Sequence, residues 1–144
     1  MSKKLKLKIG NHTDVGQVRS INQDSFGVSS TDWGDLFIVA DGMGGHKGGE
    51  VASKLTVQHI IKSFEKDKVL NPLSFLNKSI IEANSIVTKK SSEDISLDGM
   101  GTTVVAMIVK GSKAFIAHVG DSRLYIYRNK KYFQITKDHS VVQK

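Results

Sequence analysis

Phe37-Ile38-Val39-Ala40-Asp41-Gly42-Met43-Gly44-Gly45-His46-Lys47-Gly48-Gly49-Glu50 joins a hydrophobic run to an acid, a glycine-rich turn and the start of a helical pattern. The layout predicts a buried strand that delivers the Asp41 carboxylate to its open end. A carboxylate so placed suits a hard metal ion, and the glycines let backbone or ligand come close. The same residues also suit a tight strand-to-helix turn capped by an acid. On this stretch alone both readings stand.

Working outward, Leu36 to Ala40 is apolar throughout and reads as a strand buried on both faces. Phe26 and Val28 predict a short strand before it, with Ser29 to Gly34 as the hairpin loop. Further upstream, Leu5, Leu7 and Ile9 alternate with lysines and predict a strand over residues 4–10. Downstream, Val51, Ala52, Leu55, Ile60, Ile61 and Phe64 keep helical spacing from about Gly48 to Lys66. Asn71-Pro72 is a start signal for a second helix that fades near Lys89. A polar loop follows over Ser91 to Asp98. Strands are then predicted over Thr102 to Val109, Ala114 to Val119, Leu124 to Tyr127 and Tyr132 to Ile135. Strands, two helices, then strands indicate an α+β layered sandwich.

The 144 residues suit one domain, spanning 1–144, and the 39% hydrophobic and 24% charged shares are those of a globular chain. No apolar run approaches the length of a membrane span, so no membrane partner is expected. The N-terminal residues lack the apolar core of a secretory signal. The absence of cysteine excludes disulfides, zinc–thiolate sites and a cysteine nucleophile, and it fits a cytoplasmic setting. The net charge of +7 is spread along the chain. With no basic helix and no aromatic-rich strand pair, nucleic acid is not expected as a partner.

Four polar groupings sit at the edges of the predicted strands. They are Arg19 with Gln23 and Asp24; Asp41-Gly42; Asp98 to Thr103; and Gly120-Asp121-Ser122-Arg123. Here the chain resembles the PP2C-type metal-dependent Ser/Thr protein phosphatases, the bacterial branch in particular. The segments that carry the resemblance are Thr13 to Arg19 with Asn22-Gln23-Asp24, Ala40 to His46 through Glu50-Val51-Ala52, Gly99 to Thr103, His118 to Arg123 and Gln134 to Ser140. One such motif would be a weak signal. Five in register are strong.

The resemblance implies a PP2C-like four-layer α/β/β/α sandwich, incomplete here, with a binuclear Mn²⁺ or Mg²⁺ centre and a third, weaker metal. Asp41 matches the acid that bridges the two metals, and the Gly42 carbonyl matches a ligand of one of them. Arg19 matches the arginine that grips the substrate phosphate, a task suited to a guanidinium fork. Asp24 matches an acid held near the metals through water. Asp98 lies where the family places a ligand for the third metal. Asp121 matches an acid of structural or outer position. His46, His118 and His139 read as structural histidines. The implied reaction is removal of phosphate from phosphoserine and phosphothreonine by a metal-bound hydroxide, with phosphoproteins as substrates and a Ser/Thr kinase as the opposing partner. Phosphate-monoester hydrolysis is among the slowest uncatalysed reactions, which suits two-metal chemistry.

The departures are also specific. Gln23 stands where many members carry an acid, which implies reduced metal affinity. Met43 stands where eukaryotic members have a histidine proposed as general acid. Family domains are longer, and their remaining part carries two further metal-binding aspartates that this chain lacks. The expectation is therefore the N-terminal part of such a domain, with little activity by itself and with an exposed sheet prone to self-association. The rival expectation is an inactive remnant that acts as a binding module.

Overall fold

The computed structural model describes residues 6–45 and 47–139. Elements run in the order β1 (Asp24–Thr31), β2 (Gly34–Met43), α1 (Gly48–Lys66), α2 (Pro72–Glu93), a one-turn 3₁₀ helix (Ile95–Leu97), β3 (Gly101–Thr102), β4 (Val104–Lys110), β5 (Lys113–Val119), β6 (Tyr125–Arg128) and β7 (Lys131–Gln134). The fold is α+β. β1, β2, β4 and β5 lie side by side in one sheet, β3 pairs with β2, and β6–β7 form a separate two-stranded ribbon. Every pairing is antiparallel.

The core forms where the two helices cover one face of the sheet. Leu36, Ile38 and Ala40 of β2 and Val104, Ala106 and Ile108 of β4 meet Val57, Ile60 and Phe64 of α1 and Leu76 and Ala83 of α2. Phe64 stacks at a tilt on Phe75, 5.7 Å between centroids, which joins the helices to each other. Full burial of side chains such as Phe64, Ile60 and Leu76 contributes about 1.5–3 kcal/mol each. α1 also crosses β1 closely, because Gly27 leaves room for Val57 and Ile61.

α1 begins and ends where the apolar spacing predicts. α2 starts as expected, with the Asn71 side chain accepting from the Ser74 amide at 3.1 Å and Pro72 in the first turn. It continues to Glu93, beyond Lys89, since Lys89, Lys90, Ser91 and Ser92 favour no other structure strongly enough to stop it.

Three expectations need correction. β2 is covered on one face only: Leu36, Ile38 and Ala40 point into the core, whereas Val39 is 52% exposed. Its unbroken apolar run therefore has one buried side and one open side. The open side, with Phe26, Val28, Phe37, Val39, Val105 and Met107, forms a groove of about 540 Å³ bordered by Leu124 and Tyr125. Second, residues 6–10 form no strand, and the rest of that predicted segment lies outside the described residues. An alternating run needs a partner edge to become a strand, and Ile9 instead sits exposed at the rim of the groove. Third, β1 runs through Ser29 and Ser30 to Thr31, which leaves a two-residue turn in place of a longer loop. The serines are strand residues because Ser29 Oγ donates to Glu65 at 2.8 Å and Ser30 pairs with Asp35.

β6 and β7 turn through Asn129 and Lys130, both at positive φ. The ribbon exposes Tyr125, Tyr127, Tyr132 and Phe133, so an aromatic-bearing strand pair is present after all. Arg123 anchors it by a forked ion pair to Asp138, at 2.7 Å from Nη2. The paired charge holds the Asp138 carboxyl below its usual range.

Candidate functional site

β2 carries Asp41 near its end on the face away from α1, between buried Ala40 and Gly42, and the antiparallel register sets it directly opposite Asp24 of β1. Carboxylates opposed in this way repel one another. Burial pushes the Asp41 carboxyl above its usual range; its hydrogen bond to Asp24 and the charges of Asp24 and Asp121 push it further, while Arg19 draws it back. Acids of two other segments therefore act on Asp41, with Arg19 as the cation that opposes them.

The Arg19 segment is held by its neighbour Gln23. Arg19 Nη1 donates to Gln23 Oε1 at 3.3 Å, and Gln23 Nε2 donates to the Gly44 carbonyl at 3.1 Å. The Gln23 carbonyl in turn accepts from the Gly42 amide at 3.0 Å. The Gln23 side chain thus ties the arginine to the glycine turn. Asn22 completes the segment, with Oδ1 accepting from the Asp24 amide at 3.0 Å and Nδ2 donating to Thr13 at 2.8 Å.

The glycines have a specific task at Gly42 and Gly49. A Cβ on Gly42 would fall on the Gly49 carbonyl, and one on Gly49 would lie 2.7 Å from the Gln23 side chain. The start of α1 therefore touches β2 backbone to backbone. This contact fixes the turn beside Asp41.

A cleft of about 790 Å³ results, lined by Arg19, Gln23, Asp41, Gly42, Met43, Thr103 and Asp121 among others. Asp24 borders the neighbouring groove together with Asp41. Asp98 follows the 3₁₀ helix as its C-terminal cap and is not among the residues lining either cavity. Asp121 lines the same cleft as Asp41 and its charge acts on the Asp41 carboxyl; its place depends on the fold of the Gly120–Arg123 turn, which sequence spacing does not reveal. Thr103 is a further site residue whose signal was its place beside the glycines of Gly99 to Thr102. His118 and His139 stack at 4.7 Å, and His118 Nε2 contacts the Lys137 carbonyl at 2.8 Å. His46 lies outside the described residues.

The donor set is all oxygen, which fits a hard divalent cation. The unbalanced charge around Asp41 fits one too, since a cation there would relieve the repulsion that raises its proton affinity. The fit is that of one wall. Among the described residues, no three His, Cys, Asp or Glu side chains are grouped so as to hold a metal ion.

Comparison with known proteins agrees with this architecture. The family model described as Protein phosphatase 2C matches residues 12–141. The serine/threonine phosphatase stp of Listeria monocytogenes is 41% identical over 135 residues, which cover 90% of this chain and 54% of that protein. The crystal structure of serine/threonine phosphatase Stp1 from Staphylococcus aureus superposes with a TM-score of 0.89 at 35% identity, covering 97% of this chain and 57% of that one. The catalytic domain of serine threonine protein phosphatase PstP, solved in complex with two manganese ions, superposes with a TM-score of 0.82 at 36% identity over 92% of this chain and 56% of its own. The chain thus spans about half the length of the Listeria relative. A match across nearly all its residues, together with an acid-and-arginine cleft at the end of a helix-backed sheet, shows that the chain belongs to the protein phosphatase 2C family.

Proposed function

We propose that this chain supplies part of a metal-dependent phosphatase site for phosphoserine and phosphothreonine in proteins. The observation that carries the reading is the cleft that Arg19, Asp41 and Asp121 line together, with Asp24 set opposite Asp41 by the strand register. The relatives' names and the two manganese ions of the PstP structure support it.

In this reading Asp41 and the Gly42 carbonyl hold Mn²⁺ or Mg²⁺, Asp24 acts through water, and Asp98 serves a third, weaker metal. The ions would supply an activated water and neutralise charge on the phosphate. Arg19 grips the phosphate through its guanidinium fork and places phosphorus over the cleft. Gln23 fixes the arginine by its 3.3 Å contact. The kinase that produces the phosphoprotein is the opposing partner, and a cytoplasmic setting suits such substrates. No helix among the described residues is long and apolar enough to cross a membrane.

With one wall of a cage, the chain alone binds substrate better than it turns it over. A phosphoserine peptide titrated with and without millimolar Mn²⁺ tests this. Binding that requires Mn²⁺ and is lost in Arg19→Ala and Asp41→Asn is expected. Equal binding without the ion would count against the site. Robust hydrolysis of p-nitrophenyl phosphate, abolished by Asp41→Ala, would overturn the expected low activity. Among the described residues no three acids are grouped to hold a metal ion, which favours, as second reading, a module that binds phosphoproteins without hydrolysing them; persistent peptide binding with no turnover in any divalent ion would single it out.

A further inference from the structure

The pairing of β2 with β3 and β4 is interrupted beside Asp41. Val39 pairs with Val105 and Gly42 with Thr102, so a continuous register sets Asp41 against Thr103. One rung is ordinary: the Thr103 amide donates to the Asp41 carbonyl at 2.9 Å. The return rung is not. The Asp41 amide donates to the Thr103 hydroxyl at 2.9 Å instead of to its carbonyl. That carbonyl accepts from the Thr102 hydroxyl at 2.8 Å. A side chain has taken the place of a backbone acceptor at this position of the sheet.

The same hydroxyl reaches a third segment. Thr103 Oγ1 lies 2.6 Å from Ser122 Oγ, in the turn that carries Asp121. The turn also closes over the threonine from above: a Cβ on Gly120 would lie 2.6 Å from Thr103 Cγ2, and Gly120 has φ +103°. Thr103 is 5% exposed, so water competes little for these bonds. From its far side the turn is held by the Gly120 carbonyl, which accepts from the His139 amide at 3.0 Å, and by Arg123 on Asp138.

We infer that Thr103 is a positioning residue: its hydroxyl fixes the backbone of Asp41 and locks it to the Asp121 turn, so that the two carboxylates keep one mutual placement. The inference rests on the proposed phosphatase site for its purpose, though not for its geometry. An ordinary backbone rung would hold Asp41 equally well but would leave it without a link to the Asp121 turn. The hydroxyl serves both, because it accepts from one segment while exchanging a hydrogen bond with the other.

The test uses this chain in Thr103→Val, Thr103→Ser and Ser122→Ala forms. Valine keeps the shape and removes the hydroxyl; serine restores the hydroxyl. Amide hydrogen exchange at Asp41, measured without metal, is expected to quicken about tenfold in Thr103→Val, as loss of one buried hydrogen bond implies. Exchange at Ile38 and Ile108 stays as in the parent, and Thr103→Ser returns Asp41 to near the parental rate. Mn²⁺ alone, titrated by calorimetry, binds several-fold more weakly to Thr103→Val and recovers in Thr103→Ser. Parental Asp41 exchange in Thr103→Val, or failure of serine to restore it, overturns the inference. So does unchanged Mn²⁺ affinity in Thr103→Val when the parent binds. A parent that binds no Mn²⁺ sinks the phosphatase-site reading while the exchange result still decides the lock. If Thr103→Val does not fold, Ser122→Ala decides: quicker exchange at Asp41, two hydroxyls away, supports the lock, and an unchanged rate overturns it.

Discussion

Asp41 shows how a residue of a proposed site burdens the fold that holds it. Its carboxyl faces Asp24 and Asp121 and is pushed toward protonation, so at neutral pH its charge opposes folding until a cation arrives. Asp41→Asn should therefore raise the melting temperature of the chain in EDTA while abolishing stabilisation by Mn²⁺. Differential scanning fluorimetry with and without the ion checks both halves, and a lower melting temperature in EDTA would contradict the charge argument. Asp138 works in the opposite sense. Its pairing with Arg123 lowers its proton affinity, so the stability it contributes is complete above the ordinary carboxylate range. That contribution disappears as the pH falls through its depressed titration. Arg123→Gln should flatten the acid limb of a stability-versus-pH curve, with little change in the behaviour of the helices.

At the scale of elements, the legible parts were those coded by local chemistry. The Leu36 to Ala40 run, the apolar stripe of α1 and the Asn71-Pro72 start each carry their own signal. Substituting Asn71→Ala removes the side chain that accepts from Ser74 and should cost about 1 kcal/mol. Phe64→Ala empties a fully buried position between sheet and helices and should cost about 3–5 kcal/mol. Urea unfolding by circular dichroism ranks the two. What stayed hidden depended on partners distant in sequence. Ser29 looks like a loop residue until Glu65 is brought to it. The lysine-alternating segment looks like a strand, but over residues 6–10 it forms none. Asp41 was legible as a candidate because an acid ended an apolar run. Its meeting with Thr103 was not, because it follows from the register of β2 against β3 and β4; nor was its nearness to Asp121, which follows from the fold of the Gly120–Arg123 turn.

For the whole molecule, the helices cover one face of the sheet and leave Val39 half exposed on the other. With the aromatic ribbon beside it, this surface favours association between copies when nothing else covers it. Sedimentation velocity should show a concentration-dependent shift to larger species, reduced by Val39→Lys and unaffected by Mn²⁺; a monomer at every concentration would sink the idea. The backbone contact between Gly42 and Gly49 has a consequence of another kind, for heredity. Strand and helix there are joined by missing side chains, so no single codon change can adjust the joint gradually. Gly45, with open space where its Cβ would lie, stands a few residues away on the same turn. A saturation library of the folded chain should accept many residues at 45 and almost none at 42 or 49. Mutation can retune the cleft at exposed Met43, but the joint between its strand and its helix is closed to such trial.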